Sequence, residues 1–240
     1  MGTVTIDKPA RVRMTPRDAM ALEWLSQMYG APLDVVARLL DATQQRTYAL
    51  VKRWTNAGWA ASGRVDAGPM WVWPNRQTAA AYLGWDPGAW LPRPSQAAHL
   101  RACAIARLAL AGTDATTWMP ERKLRHESPK KERGKTEPYL PDGVWQSTTD
   151  GQWRPVEVEL TSKGTTRTNA VVRNALTSAS ERGAAGVLYV CGTEAIRASV
   201  IAAAAAAEAQ FARRSGAKLE TVMLAELAQR VELAPTTGLS

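Results

Sequence analysis

Three carboxylates and a lysine stand in one short part of the chain. Asp142 follows a proline in PDGVW, Glu157 and Glu159 alternate with valines in VEVELTSK, and Lys163 lies four residues beyond Glu159. In a strand, residues i and i+2 point to the same face. The spacing therefore groups Glu157 with Glu159 and sends Val156, Val158 and Leu160 to the opposite, core side. A hairpin turned at TTDGQ brings Asp142 beside them. Crowded carboxylates raise one another's proton affinity unless a cation sits between them. Mg2+ or Mn2+ takes oxygen ligands, and such an ion activates water and stabilises an attacked phosphodiester. Asp142 and Glu157 are the expected metal ligands, with Lys163 or Glu159 orienting the water. The plainer alternative is an amphipathic edge strand whose glutamates face solvent, with Lys163 and Arg167 as salt partners.

Other chemistries find little support. His99 and His126 are the only histidines, and no Ser-His-Asp arrangement follows from two so placed. His99 is expected as a structural residue of an amphipathic helix, and His126 ends a basic helix within reach of phosphate. No Walker A loop or GxGxxG occurs. Cys103 and Cys191 lie in apolar segments without metal-type spacing, which suits buried thiols of a cytoplasmic protein. The most apolar run, 199–209, contains Glu208 and is too short to span a bilayer, so no membrane association is expected. The formal net charge is +8 with a pI near 9.8, a balance that favours a polyanionic partner, most simply double-stranded DNA.

The elements needed to position these residues fall into two units. Residues 1–14 and 233–240 read as flexible ends. In 15–84, Thr15 caps a helix with Pro16 at its first position. A short helix follows over 33–40, then a third helix capped by Thr43 and ending at Gly58, then two strand-like pieces over 59–64 and 70–74. That order is expected for a winged helix-turn-helix. In the third helix Tyr48, Val51 and Trp54 supply the apolar side. Gln44, Gln45 and Arg46 near its start can reach base edges in a major groove. Lys52 and Arg53, with Arg64 on the wing, suit phosphates. The alternative is a solvated basic face, or a winged helix used only for protein contacts.

Residues 85–97 carry three prolines and a glycine and read as a linker. From 98 to 232 the order is helix, short strand and helical piece, hairpin, helix, apolar strand at 186–191, alanine-rich helix, strand and short helix. The whole is thus expected to be α+β, with the second unit an α/β sandwich on a mixed sheet.

Asp142 and then Glu157-Val158-Glu159 on the next strand resemble the PD-(D/E)XK nuclease motif, here reading ExE where the family has (D/E)xK. The resemblance implies a metal-dependent endonuclease-like site, with Lys163 supplying the ammonium from a shifted position. It also implies a further acid upstream, for which Glu121 in PERKLR is the candidate. The winged-helix pattern followed in order by WMPERKLRHE, PDGVW, VEVELTSK and GVLYVC resembles the replication-relaxation family of actinobacterial plasmids and mobile elements. That likeness spans about residues 15–225 and implies a role on mobile-element DNA, with a relaxase or replication protein, or a second copy of the chain, as possible partners. A non-catalytic regulator, using the nuclease-like domain for dimerisation or DNA binding, is the competing expectation.

Overall fold

The computed structural model describes residues 13–65, 68–128, 139–210 and 217–233. Of the expected flexible ends, 1–14 and 233–240, residues 1–12 and 234–240 lie outside the described residues. The fold is α+β with two sheets. The first half contains α1 (Pro16–Gln27), β1 (Ala31–Pro32), α2 (Leu33–Leu39), α3 (Gln44–Asn56), β2 (Ala60–Arg64), β3 (Met70–Pro74) and α4 (Arg76–Leu83). Its three strands form an antiparallel sheet in the order β1-β3-β2. The second half runs α5 (Pro94–Ala111), β4 (Trp118–Pro120), α6 (Glu121–Glu127), β5 (Gly143–Gln146), β6 (Trp153–Glu159), α7 (Thr165–Glu181), β7 (Gly186–Cys191), α8 (Glu194–Gln210), β8 (Lys218–Met223) and α9 (Leu224–Leu233). Its strands form one mixed sheet, β4-β5-β6-β7-β8, antiparallel from β4 to β6 and parallel from β6 to β8. Among the described residues no helix is long and apolar enough to cross a membrane.

Local chemistry sets the helix boundaries. Thr15 accepts from the Asp18 N–H while Asp18 accepts from the Thr15 N–H, a capping box with Pro16 behind it. Thr43 caps α3 in the same way through the Arg46 N–H. Helix α4 has no counterpart in the sequence reading. Asn75 caps it and Gly84, at φ 80°, ends it, a left-handed conformation that glycine adopts without steric cost.

The mixed sheet is covered on both faces. Val156, Val158, Leu188 and Val190 pack into one core with α5 and α9, while Tyr189 and Cys191 pack into another with α7 and α8. The glutamates of β6 therefore lie on a face roofed by helices, not on an open edge. The first core also takes in Leu22, Trp24, Val36 and Trp54, so it runs without interruption from the three-helix unit into the sheet. Polar ties reinforce the junction. Arg107 of α5 is fully buried, hydrogen-bonds to Gln27, and stacks over Trp24 at 4.9 Å. Arg122 donates to the Ser26 carbonyl at 2.8 Å, and Arg101 pairs with Asp34. The segment read as a linker is pinned as well. Trp85 stacks on His126 at 4.1 Å and Trp90 meets Tyr29 at 5.6 Å. Helix α5 begins at Pro94, inside that segment.

Two residues of α3 depart from expectation. Tyr48 is 53% exposed, and Thr47 takes the buried position instead. Arg53, expected on phosphate, turns inward and pairs with the carboxylate of Asp18. Asp18 is 1% exposed and also accepts from Trp54 Nε1 at 2.8 Å. Burial alone would raise its pKa, but the hydrogen bonds from Thr15 and Trp54 and the Arg53 charge outweigh it and hold the carboxyl below its ordinary value. Removing this acceptor strands several donors. Asp18→Ala should lower stability to urea by about 1.5–3 kcal/mol, the range for hydrogen bonds to a charged group, with part of the Arg53 contribution lost to solvent. A depressed carboxyl stabilises above its unfolded pKa of 3.8 and loses that contribution as pH falls through the lower folded value. The gap between wild type and variant should therefore close in strong acid, and a pH-independent gap would contradict this role.

Candidate functional site

The site begins with the register of the β5–β6 hairpin. Gly143 pairs with Val156, which sets Asp142 at the strand entrance next to Glu157. Gly143 is needed there, because a Cβ would lie 2.3 Å from the ring of Trp118 on β4. The proline, aspartate and glycine of the motif thus each act locally. Pro141 is buried, Asp142 turns out of the strand at a bend, and Gly143 admits the indole.

Both oxygens of Asp142 are engaged. Oδ2 accepts from the Val158 N–H at 2.8 Å, and Oδ1 lies 2.9 Å from His99 Nε2 on α5. The hydrogen bond to Asp142 raises the His99 pKa against the opposing effect of burial. One turn along α5, Cys103 Sγ stands 3.5 Å from the same ring nitrogen. Burial, with the Asp142, Glu121 and Glu157 charges nearby, holds the Cys103 thiol well above its ordinary pKa.

Glu157 and Glu159 pair with Tyr189 and Cys191 of β7 and lie on the side of α7 and α8. Glu157 accepts a hydrogen bond from the Tyr139 hydroxyl. Desolvation and the Asp142 charge push its pKa well above normal, opposed by Tyr139 and Lys163. Glu159 is drawn aside. It pairs with the Lys163 ammonium and accepts from Thr161 Oγ1 at 3.3 Å. The lysine read as displaced by four positions thus does bring its charge back to the acidic strand. Beside it, a cavity of about 10 Å³, room for about one water, is lined by Glu159, Lys163, Thr168 and Tyr189. The Tyr189 hydroxyl is buried with no hydrogen-bond partner among the described residues.

Asp142, Glu157 and Glu159 each have their own hydrogen-bond or ion-pair partners. Among the described residues, no oxygens of Asp142, Glu157 and Glu159 form a trio within 4.8 Å of one another; the cluster that does is His99, Cys103 and Asp142. Asp142 and Glu157 still fit Mg2+ or Mn2+ in donor type and charge. Asp142 pushes Glu157 toward its protonated form, a repulsion that a bound cation would relieve. Glu121 opens α6, the helical piece expected in PERKLR, accepts from the Tyr29 hydroxyl at 3.0 Å, and pairs with Arg125. It lines the same cleft as Asp142, His99 and Cys103, a space of about 930 Å³ between the two halves of the chain.

On the first half, Gln44, Gln45, Arg46, Tyr48 and Lys52 are all exposed on α3, and Arg64 is exposed at the end of β2. His126 is occupied by its stacking on Trp85. Sequence reasoning missed His99, Cys103 and Tyr139 as site residues. The i, i+4 spacing of His99 and Cys103 put both on one helix face, but nothing in the sequence pointed that face at Asp142. No family model, no curated protein and no solved structure matches the chain.

The raised Glu157 pKa has a consequence for stability. A carboxyl whose folded pKa lies above its unfolded value of 4.5 costs stability as pH rises through that interval, because the folded state binds the extra proton. Glu157→Gln keeps an acceptor for Tyr139 and removes the charge. It should raise the thermal midpoint at pH 7, with the gain shrinking as pH falls toward 4.5 and absent below it. An unchanged or lowered midpoint at neutral pH would show that the charge is not under electrostatic stress.

Proposed function

We propose that this protein binds double-stranded DNA through a winged-helix unit and carries a PD-(D/E)XK-like, metal-dependent endonuclease site in its second half. The observation that carries the nuclease reading is the pairing of Asp142 with a proton-hungry Glu157 across the hairpin, with the Lys163 ammonium returned to the same strand. Asp142 and Glu157 would hold Mg2+ or Mn2+, which supplies a Lewis acid and a water of lowered pKa. Asp142 is oriented for this by the Val158 N–H. Lys163 offsets carboxylate charge and, with Glu159, positions the attacking water at the end of β6. The resemblance of the sequence to plasmid replication-relaxation proteins is the support for mobile-element DNA as the target and for a relaxase or replication protein as the proposed partner.

The DNA-binding reading rests on the order α1-β1-α2-α3-β2-β3 with its antiparallel sheet β1-β3-β2, the arrangement of a winged helix. The outward face of α3 bears glutamines, Arg46, Tyr48 and Lys52. Gln44, Gln45 and Arg46 are suited to base edges, and Lys52 and Arg64 to phosphates. A second reading, a regulator that binds DNA without cutting it, is favoured by one feature: Glu157 and both oxygens of Asp142 already have protein partners.

Incubation with supercoiled plasmid and Mg2+ or Mn2+ separates the two. Nicking or linearisation by the wild type, lost in Glu157→Ala, is expected for the nuclease. Binding without cleavage selects the regulator. For the DNA interface, Lys52→Ala should weaken binding about equally across sequences and lower the salt slope by about one, whereas unchanged affinity and slope would remove α3 from the interface.

A further inference from the structure

The cleft between the two halves contains a group of which the nuclease reading uses only Asp142. His99 and Cys103 stand one helical turn apart on α5, and Asp142 meets them from the entrance of β5. Nε2 of His99 lies 2.9 Å from Asp142 Oδ1 and 3.5 Å from Cys103 Sγ, and the three donor atoms all fall within 4.8 Å of one another. A tetrahedral ion with bonds of about 2.0–2.3 Å needs its ligands roughly 3.3–3.8 Å apart. The His99–Cys103 separation already matches, and the His99–Asp142 contact need open by only about 0.5 Å.

We propose that His99, Cys103 and Asp142 form a binding site for a borderline transition-metal ion of the Zn2+ class, distinct in ligand chemistry from the oxygen-only Mg2+ pair. Imidazole and thiolate select such ions over Mg2+ and Ca2+. Two ligands on a rigid helix, and a carboxylate oriented by the Val158 N–H, preorganise the site in the way outer hydrogen bonds do at known metal centres. The fourth position opens on the cleft of about 930 Å³, which suits a water or an incoming ligand. Binding displaces the proton of the Cys103 thiol to solvent and forms the metal–sulfur bond, so one proton is released for each ion bound. Because Asp142 is shared, a Zn2+-class ion here and Mg2+ at Asp142 and Glu157 compete for one carboxylate, and occupation of this site would switch off metal-dependent cleavage.

The full chain titrated with Co2+ tests the site without reference to activity. A sulfur-to-cobalt charge-transfer band and intense visible bands of tetrahedral cobalt should appear with one equivalent bound, and Zn2+ should displace them. Cys103→Ser should abolish the charge-transfer band. His99→Ala, at a half-exposed side chain, should weaken Zn2+ binding at least tenfold, the scale seen when even the supporting residues of a metal site are removed. Glu157→Gln should retain the band, so loss of cleavage alone leaves this site standing. Absence of a thiolate band in the wild type would overturn the proposal, whatever the folding of the variants. So would a band that survives in Cys103→Ser, which would assign the sulfur to Cys191.

Discussion

The carboxylate of Asp142 holds the site together. One oxygen is fixed by a backbone N–H of β6 and the other by an imidazole on α5, so a single side chain ties the hairpin to the helix that joins the two halves. Its charge then acts on everything near it. It raises the proton affinity of Glu157 and of the Cys103 thiol, and it favours the imidazolium form of His99. Gly143 is the condition for this placement, since any side chain there would strike Trp118 and displace the turn that carries Asp142.

Charge is treated differently elsewhere in the chain. By exposure Asp18 is more deeply buried, yet Thr15, Trp54 and Arg53 satisfy it and hold its pKa down. Around Glu157 the matching is incomplete. The Tyr139 hydroxyl and Lys163 only partly oppose the effects of burial and of Asp142, and the Tyr189 hydroxyl close by on β7 has no partner among the described residues. A raised carboxyl beside a buried hydroxyl of this kind supports the proposed site.

Much of the fold is legible in the sequence because it is written locally. Thr15-Pro16 and Thr43 announce helix starts, alternation in VEVELT gives a strand, and TTDGQ gives the hairpin, all signals carried within a few residues. Asp142, Glu157 and Lys163 come within one another's reach for the same reason. What the sequence hides depends on tertiary packing. The inward turn of Arg53 requires Asp18 from another helix, 35 residues away. The meeting of His99 with Asp142 spans 43 residues. The continuous core that joins the two halves could not be inferred from a proline-rich stretch that read as a tether. The face of β6 that bears the glutamates gave no warning that α7 and α8 would cover it.

The Asp142 charge raises the proton affinity of Glu157, a stress that a divalent cation would relieve. The most direct measurement is the Glu157 titration followed by carboxyl-carbon NMR, with and without Mg2+. A midpoint well above 4.5 in metal-free protein, falling when Mg2+ is added, is the expected result. An ordinary midpoint that ignores Mg2+ would contradict it.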